Sequence, residues 1–196
     1  MRQNFTNYAF TESVKKAQEK YGSRELYSKM DNNGPDQYQL FHRETAHIEQ
    51  MDGFYLSTVG ENGWPYVQFR GGPKGFVKVI DAETIGFVDF RGNRQYISTG
   101  NISANNKTAM IFLDYPSRTR LKVWAESEIL DPEDHPDLRD QLMLPDYKAN
   151  IERLMIFHVK AFDWNCPQHI TPKFSISEIQ TLINSNHEFR QQILGE

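Results

Sequence analysis

The chain has 196 residues, of which 38% are hydrophobic and 13% aromatic, a composition typical of a folded globular domain. Its formal net charge of −4 argues against binding along a nucleic-acid backbone, which requires a basic surface. No apolar run approaches the roughly 20 residues of a membrane-spanning helix, and the N-terminus lacks the apolar centre of a signal peptide. A single cysteine, Cys166, excludes an internal disulfide. We therefore expect a cytoplasmic protein without nucleic-acid or membrane partners.

The N-terminal part of the sequence shows helical periodicity. Thr11 is a suitable N-cap for a first helix, and Gly22 is a suitable end. A second helical pattern runs from about residue 37 to 51 and stops before Gly53. Its apolar side consists of Leu40, Phe41, Ile48 and Met51. The sequence thus predicts N-terminal helices over about 11–51.

From residue 54 the sequence changes to the pattern of β-strands. The β-branched and aromatic segments cover residues 54–59, 64–70, 76–81, 84–90, 108–115, 120–130 and 153–162. Because they follow one another without long intervening helices, we predict a largely antiparallel sheet that closes, or nearly closes, into a barrel. Ser175 and Glu178 form a capping box that predicts a C-terminal helix over about 176–192. Without repeats or linkers, we interpret residues 1–196 as one mainly β domain with flanking helices.

Signatures of common nucleotide and metal sites are missing from the sequence. It contains neither the glycine-rich dinucleotide motif in a strand-to-helix context nor the phosphate-binding P-loop. His42 and His47 are five positions apart, a poor spacing for two metal ligands on one helix face, so we expect no metal. Cys166 and His169 are compatible with half a zinc site or with a nucleophile and its base. Neither arrangement has its remaining partners in the sequence, which favours a small buried thiol beside a loop histidine.

Two polar loops suggest an anion-binding site. In VQFRGGPKGF, Gln68 and Arg70 share one side of a strand, and the following glycines allow a flat ligand to approach the backbone. In RGNRQYIS, residues 91–98, arginines, amides and a hydroxyl follow directly after a strand, an arrangement that suits a phosphate group. Each loop taken alone is also compatible with an ordinary turn carrying solvated charges. Trp164 is either a lid over a ligand or an aromatic residue that closes one end of the barrel.

A resemblance to a known family rests on four stretches: GWPYVQFRGGPKGFVKVID, IGFVDFRGNRQYISTGNI, MIFLDYPSRTRLKVWAESEIL and FDWNCPQHITPKF. They resemble the pyridoxamine 5'-phosphate oxidase-like FMN-binding split-barrel proteins, in particular the predicted flavin-nucleotide-binding branch. The resemblance implies an FMN-binding split β-barrel that forms a homodimer, with FMN in a cleft at the dimer interface.

The resemblance also implies which residues bind the cofactor. Those along the isoalloxazine ring are Gln68, Phe69, Arg70 and Gly71, with Lys74 near the ring or its phosphate. Those that hold the phosphate are Asn93, Arg94, Gln95 and Ser98. Those that reach the ring from the partner subunit, or close over the cofactor, are Arg120, Leu121, Trp164 and Gln168. The chemistry is suitable, because a guanidinium group binds a phosphate bidentately.

The expected activity departs from that of the true oxidases. Their C-terminal arginines hold pyridoxamine phosphate, whereas the corresponding segment here reads NCPQHITPKF, so we do not expect vitamin B6 oxidation. We expect a flavin-dependent oxidoreductase acting on an unidentified small molecule. No side chain stands out as an acid or base, and His169 qualifies only if it faces the ring edge. The alternatives are a non-catalytic flavin carrier or redox sensor, and a cleft that holds haem or a deazaflavin.

Overall fold

A computed structural model describes residues 4–144, 147, 149–165, 168–185 and 191. The helices in these residues are α1 (Thr6–Ala9), α2 (Glu12–Lys20), α3 (Arg24–Asn33), α4 (His42–Glu49), α5 (Ile97–Ala104), α6 (Pro136–Leu142) and α7 (Ile176–Ser185). The strands are β1 (Gly53–Val59), β2 (Pro65–Gly71), β3 (Lys78–Asp81), β4 (Thr84–Phe90), β5 (Lys107–Asp114), β6 (Thr119–Leu130) and β7 (Ile151–Trp164).

The strands form one antiparallel sheet in the order β2-β1-β5-β6-β7-β4-β3. The predicted mainly β split barrel with flanking helices is confirmed, and each strand boundary lies within two residues of the predicted one. β7 is 14 residues long and pairs with both β6 and β4, so it connects the two halves of the sheet. The edge strands β2 and β3 do not pair with each other in the described residues.

The core lies on the inner face of this curved sheet and is rich in aromatic rings. Phe54 stacks on Phe112 with ring centroids 5.0 Å apart, and Phe87 meets Phe54 edge-on at 5.7 Å. The alternation along β1 explains this placement, since Phe54 and Leu56 are buried while Tyr55 between them is exposed. Burial of such side chains stabilises the fold by about 1.5–3 kcal/mol each.

The helices before the sheet agree with the sequence only in part. The Thr11 side chain accepts a hydrogen bond from the Val14 amide, and Gly22 has a φ of 76°, as predicted for the two ends of α2. The prediction of a helix from residue 37 was wrong, because α4 begins only at His42. The Leu40 amide donates to the carbonyl of Ala82, 2.6 Å away. This bond ties the preceding residues to the β3–β4 turn instead of to a helical turn.

The first helices pack on the outer face of β6. Phe5 stacks on Trp124 at 6.1 Å, and Phe10 contacts both Phe5 and Tyr27 edge-on. The sequence did not predict α3, whose exposed Leu26 is part of no apolar stripe wide enough to reveal it. At the other end of the chain, Ser175 and Glu178 exchange the hydrogen bonds of a capping box, which confirms the predicted start of α7. The described part of α7 ends at Ser185.

Two phenylalanines provide a test of this core. Phe54→Ala removes a ring that is 1% exposed, so we expect the free energy of unfolding to fall by roughly 3–5 kcal/mol in urea denaturation. Phe41→Ala is the matched control, because Phe41 is 65% exposed and its loss should cost less than about 1 kcal/mol. Equal losses for the two variants would contradict the position of the core.

Candidate cofactor-binding site

A cleft of about 180 Å³ lies where β2, the β4–α5 loop, the start of α5 and the start of β7 meet. It is lined by six of the residues singled out in the sequence: Gln68, Arg70, Asn93, Arg94, Gln95 and Ser98. Two loops that are distant in the sequence thus come together, because β2 and β4 lie on opposite sides of the split in the barrel.

The loop before α5 has an unusual backbone. Arg94 and Tyr96 adopt left-handed conformations with φ of 64° and 55°, which cost energy for residues other than glycine and concentrate at functional sites. The Asn93 side chain accepts a hydrogen bond from the Gln95 amide at 3.1 Å and stabilises the turn. The turn leads into the N-terminus of α5, where the helix dipole favours an anion.

Helix α5 itself was not predicted. The stretch YISTGNISANN contains serine, glycine and asparagine residues of low helix propensity. Tertiary contacts overcome this preference. Ser98 is buried and donates to the Gln68 side chain of β2 at 3.0 Å, while Asn101 donates to Thr58 of β1 at 2.9 Å.

A buried ion-pair network forms the floor of the cleft. Asp89 of β4 is 5% exposed and accepts hydrogen bonds from Arg70 at 2.7 Å and from Arg153 at 2.8 Å. Arg153 also donates to Thr99 at 3.2 Å. Burial raises the pKa of Asp89 above its usual value, although both arginines oppose this shift. The pair of Arg70 and Asp89 crosses the split between β2 and β4.

The sequence reasoning missed Asp89 and Arg153. One signal for Asp89 was present, since it follows the apolar residues Phe87 and Val88 in a strand where a charge requires a partner. The identity of that partner depends on the tertiary structure. Arg70 then carries one further signal of a ligand, because its Nε atom is buried without a hydrogen-bond acceptor in the described residues.

The rim of the cleft holds a second set of charges. The Tyr96 hydroxyl donates to Glu152 at 3.2 Å and accepts from Arg94 Nε at 3.3 Å. Arg153 donates to Glu152, and Arg91 Nε lies 3.9 Å from the same carboxylate. The cleft itself is lined by three guanidinium groups, those of Arg70, Arg94 and Arg153, and by the two carboxylates of Asp89 and Glu152, which leaves a formal excess of one positive charge.

A second cavity of about 210 Å³ continues from the first, with Arg70 and Asp89 lining both. It is lined by all four residues expected along a flavin ring: Gln68, Phe69, Arg70 and Gly71. Its opposite wall is apolar and includes Phe76, Phe87 and Val88. A polar cleft and an apolar cavity therefore form one trough along β2.

The remaining predicted residues do not line this trough in the same chain. Lys74 faces a separate groove of about 370 Å³, where it lies 3.8 Å from Glu178. Leu121 is fully buried in the core, and Arg120 has a buried Nε without an acceptor in the described residues. Gln168 and His169 are exposed. Cys166 lies outside the described residues.

Trp164 packs against α4. Its indole N–H donates to Glu44 at 2.7 Å, the Arg43 guanidinium lies 4.1 Å from its ring, and His47 meets it edge-on at 4.8 Å. Burial lowers the pKa of His47, whose ring nitrogen lies 3.2 Å from the Phe112 carbonyl. These contacts hold Trp164 rigidly at the end of β7, away from the trough of its own chain.

Metal-binding clusters and membrane-spanning helices are both absent from the described residues. They contain no group of three or more histidine, cysteine, aspartate or glutamate side chains arranged to hold a metal ion. Among the helices described, none combines the length and the apolar character needed to span a membrane.

Solved structures share this fold at low sequence identity. A candidate pyridoxamine 5'-phosphate oxidase from Lactobacillus delbrueckii is 21% identical, and the match covers 65% of this chain and 96% of that one, with a TM-score of 0.50. An FMN-binding protein from Syntrophomonas wolfei is 18% identical over 79% of this chain and 96% of that one, with a TM-score of 0.49. An F420 reductase is 23% identical over 60% and 94%, with a TM-score of 0.43. No curated protein matches the sequence.

The family match covers the part of the chain that builds the trough. The family described as pyridoxamine 5'-phosphate oxidase matches residues 41–160, more than half of the chain. The matched range begins just before α4 and ends within β7, so it includes β2, the β4–α5 loop, and the network of Arg70, Asp89 and Arg153. The chain therefore belongs to the pyridoxamine 5'-phosphate oxidase family.

Proposed function

We propose that the protein binds FMN in the trough along β2 and acts as an FMN-dependent oxidoreductase on a small molecule. The observation that carries this proposal is the continuity of the two cavities. An arginine-rich loop at a helix N-terminus opens directly into an apolar cavity beside an extended strand. A phosphorylated flavin has the same two parts, an anionic phosphate and a flat ring.

The polar end suits a single phosphate. Arg94 is exposed and lines the cleft, and the Gln95 amide and the start of α5 lie next to it. The net positive charge of the cleft favours one small anion such as a phosphate, whereas a dinucleotide would bring a longer anionic chain into the same cleft. Since charge-assisted hydrogen bonds are stronger than neutral ones, this end would provide much of the binding energy.

The apolar end suits the isoalloxazine ring. Phe76 and Phe87, whose rings meet edge-on at 5.9 Å, offer an apolar wall, and the backbone of β2 offers hydrogen-bonding groups opposite it. Within the described residues the buried Nε of Arg70 has no acceptor, which a ring carbonyl or nitrogen would supply. When bound, the flavin supplies the chemistry of hydride or electron transfer. The contribution of the chain is to orient the ring and to hold the Arg70 charge beside it through Asp89.

We further propose that the complete site requires a second copy of the chain. The residues that the family resemblance assigns to the partner side, such as Arg120 and Trp164, lie away from the trough of their own chain. A neighbouring subunit would bring its own copies of these residues to the trough.

The outer surface of the sheet suggests where that copy docks. Phe5 covers β6 through Trp124, and Leu142 of α6 covers β4 and β7. The outer face of β1, β2 and β5 is uncovered in the described part of the chain and exposes Tyr55, Val67, Phe69 and Ile111. An apolar patch of this kind marks an interaction surface. Because β2 lines the trough with its alternate residues, an interface here would lie directly beside the ligand.

A non-catalytic flavin carrier is the second candidate. It is favoured by the absence of a free acid or base in the trough of the described residues, since both oxygens of Asp89 are engaged by arginines. His169 is exposed and lines neither cavity. Rapid reduction of the bound flavin by NADH or NADPH, followed by transfer to an added acceptor, would distinguish the enzyme from the carrier. The visible spectrum of the purified protein would distinguish flavin from deazaflavin or haem.

The phosphate site can be tested with one substitution. Arg94→Ala should weaken FMN binding by roughly 2–4 kcal/mol, because the phosphate loses a charged partner, and should affect riboflavin much less. Calorimetric titration with both ligands measures this difference. Arg139→Ala, which removes an arginine of α6 outside the cleft, is the control and should leave both affinities unchanged. An unchanged FMN affinity in Arg94→Ala, or equal wild-type affinities for FMN and riboflavin, would refute the phosphate assignment.

The substrate range can be tested with pyridoxamine phosphate. The segment NCPQHITPKF contains no arginine to hold this substrate, so the FMN-loaded protein should turn it over far more slowly than the roughly one per second of ordinary enzymes. Oxygen consumption and the absorbance of the aldehyde product report the rate. Turnover at about one per second or faster would show that other residues replace the missing arginines.

The coupling between dimer and ligand is also testable. Val67→Asp places a charge in the exposed apolar face, so it should shift light scattering from a dimer near twice 22.9 kDa towards the monomer and weaken FMN binding in parallel. Leu26→Asp is the matched control, because Leu26 is similarly exposed but lies on α3. A Val67→Asp monomer that binds FMN as tightly as the wild-type protein would refute the shared site.

A further inference from the structure

Glu152 places a negative charge inside a cleft suited to an anion. It lies at the start of β7, lines the same cavity as Arg94 and Ser98, and its side chain is 18% exposed. An anionic ligand would bring its own charge into the same cavity. Since like charges repel most strongly where solvent is limited, a carboxylate at this position opposes ligand binding.

The contacts of Glu152 engage the cations that a phosphate would use. Its Oε1 atom accepts from the Tyr96 hydroxyl at 3.2 Å and lies 3.9 Å from Arg91 Nε. Its Oε2 atom accepts from Arg153. Through Tyr96, which accepts from Arg94 at 3.3 Å, the carboxylate is connected to the guanidinium at the tip of the loop.

The second carboxylate of the network makes Glu152 dispensable as a structural partner. Arg153 already donates to Asp89 and to Thr99 through its Nη1 atom, and Asp89 is the more deeply buried acid. Asp89 connects strands across the split in the barrel. Glu152 connects groups that face the ligand.

We infer that Glu152 limits the affinity of the cleft for phosphorylated flavin by occupying its cations and repelling the phosphate. This inference rests on the proposed function. Its consequence is that the flavin stays exchangeable, so the protein takes up and releases FMN instead of retaining it permanently. A neutral residue at position 152 would leave a more positive cleft and a more firmly held ligand.

The substitution Glu152→Gln tests this inference, because glutamine retains a hydrogen-bond acceptor and removes the charge. We expect FMN to bind about tenfold more tightly at low ionic strength, with riboflavin unchanged. The gain should shrink as salt is raised towards 1 M, where the screening length falls to about 3 Å. A purely structural role for Glu152 would not produce this salt dependence.

Glu126→Gln is the matched control. It makes the same change in a glutamate that pairs with Lys160 at 2.9 Å on the outer face of the sheet, so FMN affinity should not change. Thermal unfolding of both variants checks that the fold is intact. Glu152→Ala removes the charge and the hydrogen-bond acceptor together. If it binds FMN more weakly than Glu152→Gln does, the acceptor at position 152 helps to position Arg153.

The outcomes separate this inference from the proposed function. If wild-type protein prefers FMN over riboflavin but Glu152→Gln binds FMN equally or more weakly, Glu152 positions the site and the inference is wrong. If a folded Glu152→Gln variant fails to bind FMN while Glu126→Gln binds it, the inference is also wrong. If wild-type protein does not distinguish FMN from riboflavin, the proposed phosphate site fails first.

Discussion

The structure depends on the buried carboxylate of Asp89. It accepts hydrogen bonds from Arg70 on β2 and Arg153 on β7, so one acid on β4 links the edge strand β2 across the split to the paired strands β4 and β7. Removing a charge from water is expensive, and this acid is stable at 5% exposure only because two guanidinium groups surround it. The same contacts orient Arg70 between the polar cleft and the apolar cavity. Barrel closure and ligand site therefore share one interaction.

The two sides of the edge strand β2 face different surroundings. Its even-numbered side, with Gln68 and Arg70, lines the trough, while its odd-numbered side carries exposed apolar residues. The Phe69 ring can lie against β1 because residue 53 is a glycine. A Cβ atom at that position would lie 2.2 Å from the ring. In a monomer, an edge strand with an apolar outer side exposes a surface that promotes aggregation. A second subunit packed on it would cover that surface.

Carboxylates neutralise most of the positive charge that the arginines bring to the trough. Asp89 and Glu152 compensate two of the three guanidinium groups that line the cleft, which leaves only a small positive excess. This balance distinguishes a site for a small anion from a general basic surface, consistent with a chain whose overall charge is negative. Membership in the pyridoxamine 5'-phosphate oxidase family accounts for the fold and the position of the trough.

The sequence by itself determined the strands, the N-cap at Thr11, the capping box at Ser175 and the two polar loops, because these follow from alternation and from contacts within a few residues. It did not reveal where α4 begins or that residues 97–104 are helical. Both depend on hydrogen bonds to parts of the sheet that are distant in the sequence, from Leu40 to Ala82 in the β3–β4 turn and from Ser98 to Gln68 in β2. Only the tertiary structure decided that Asp89, Glu152 and Arg153 belong to the site. Their charges acquire partners when the sheet curves and brings β2, β4 and β7 together, and no local pattern carries that information.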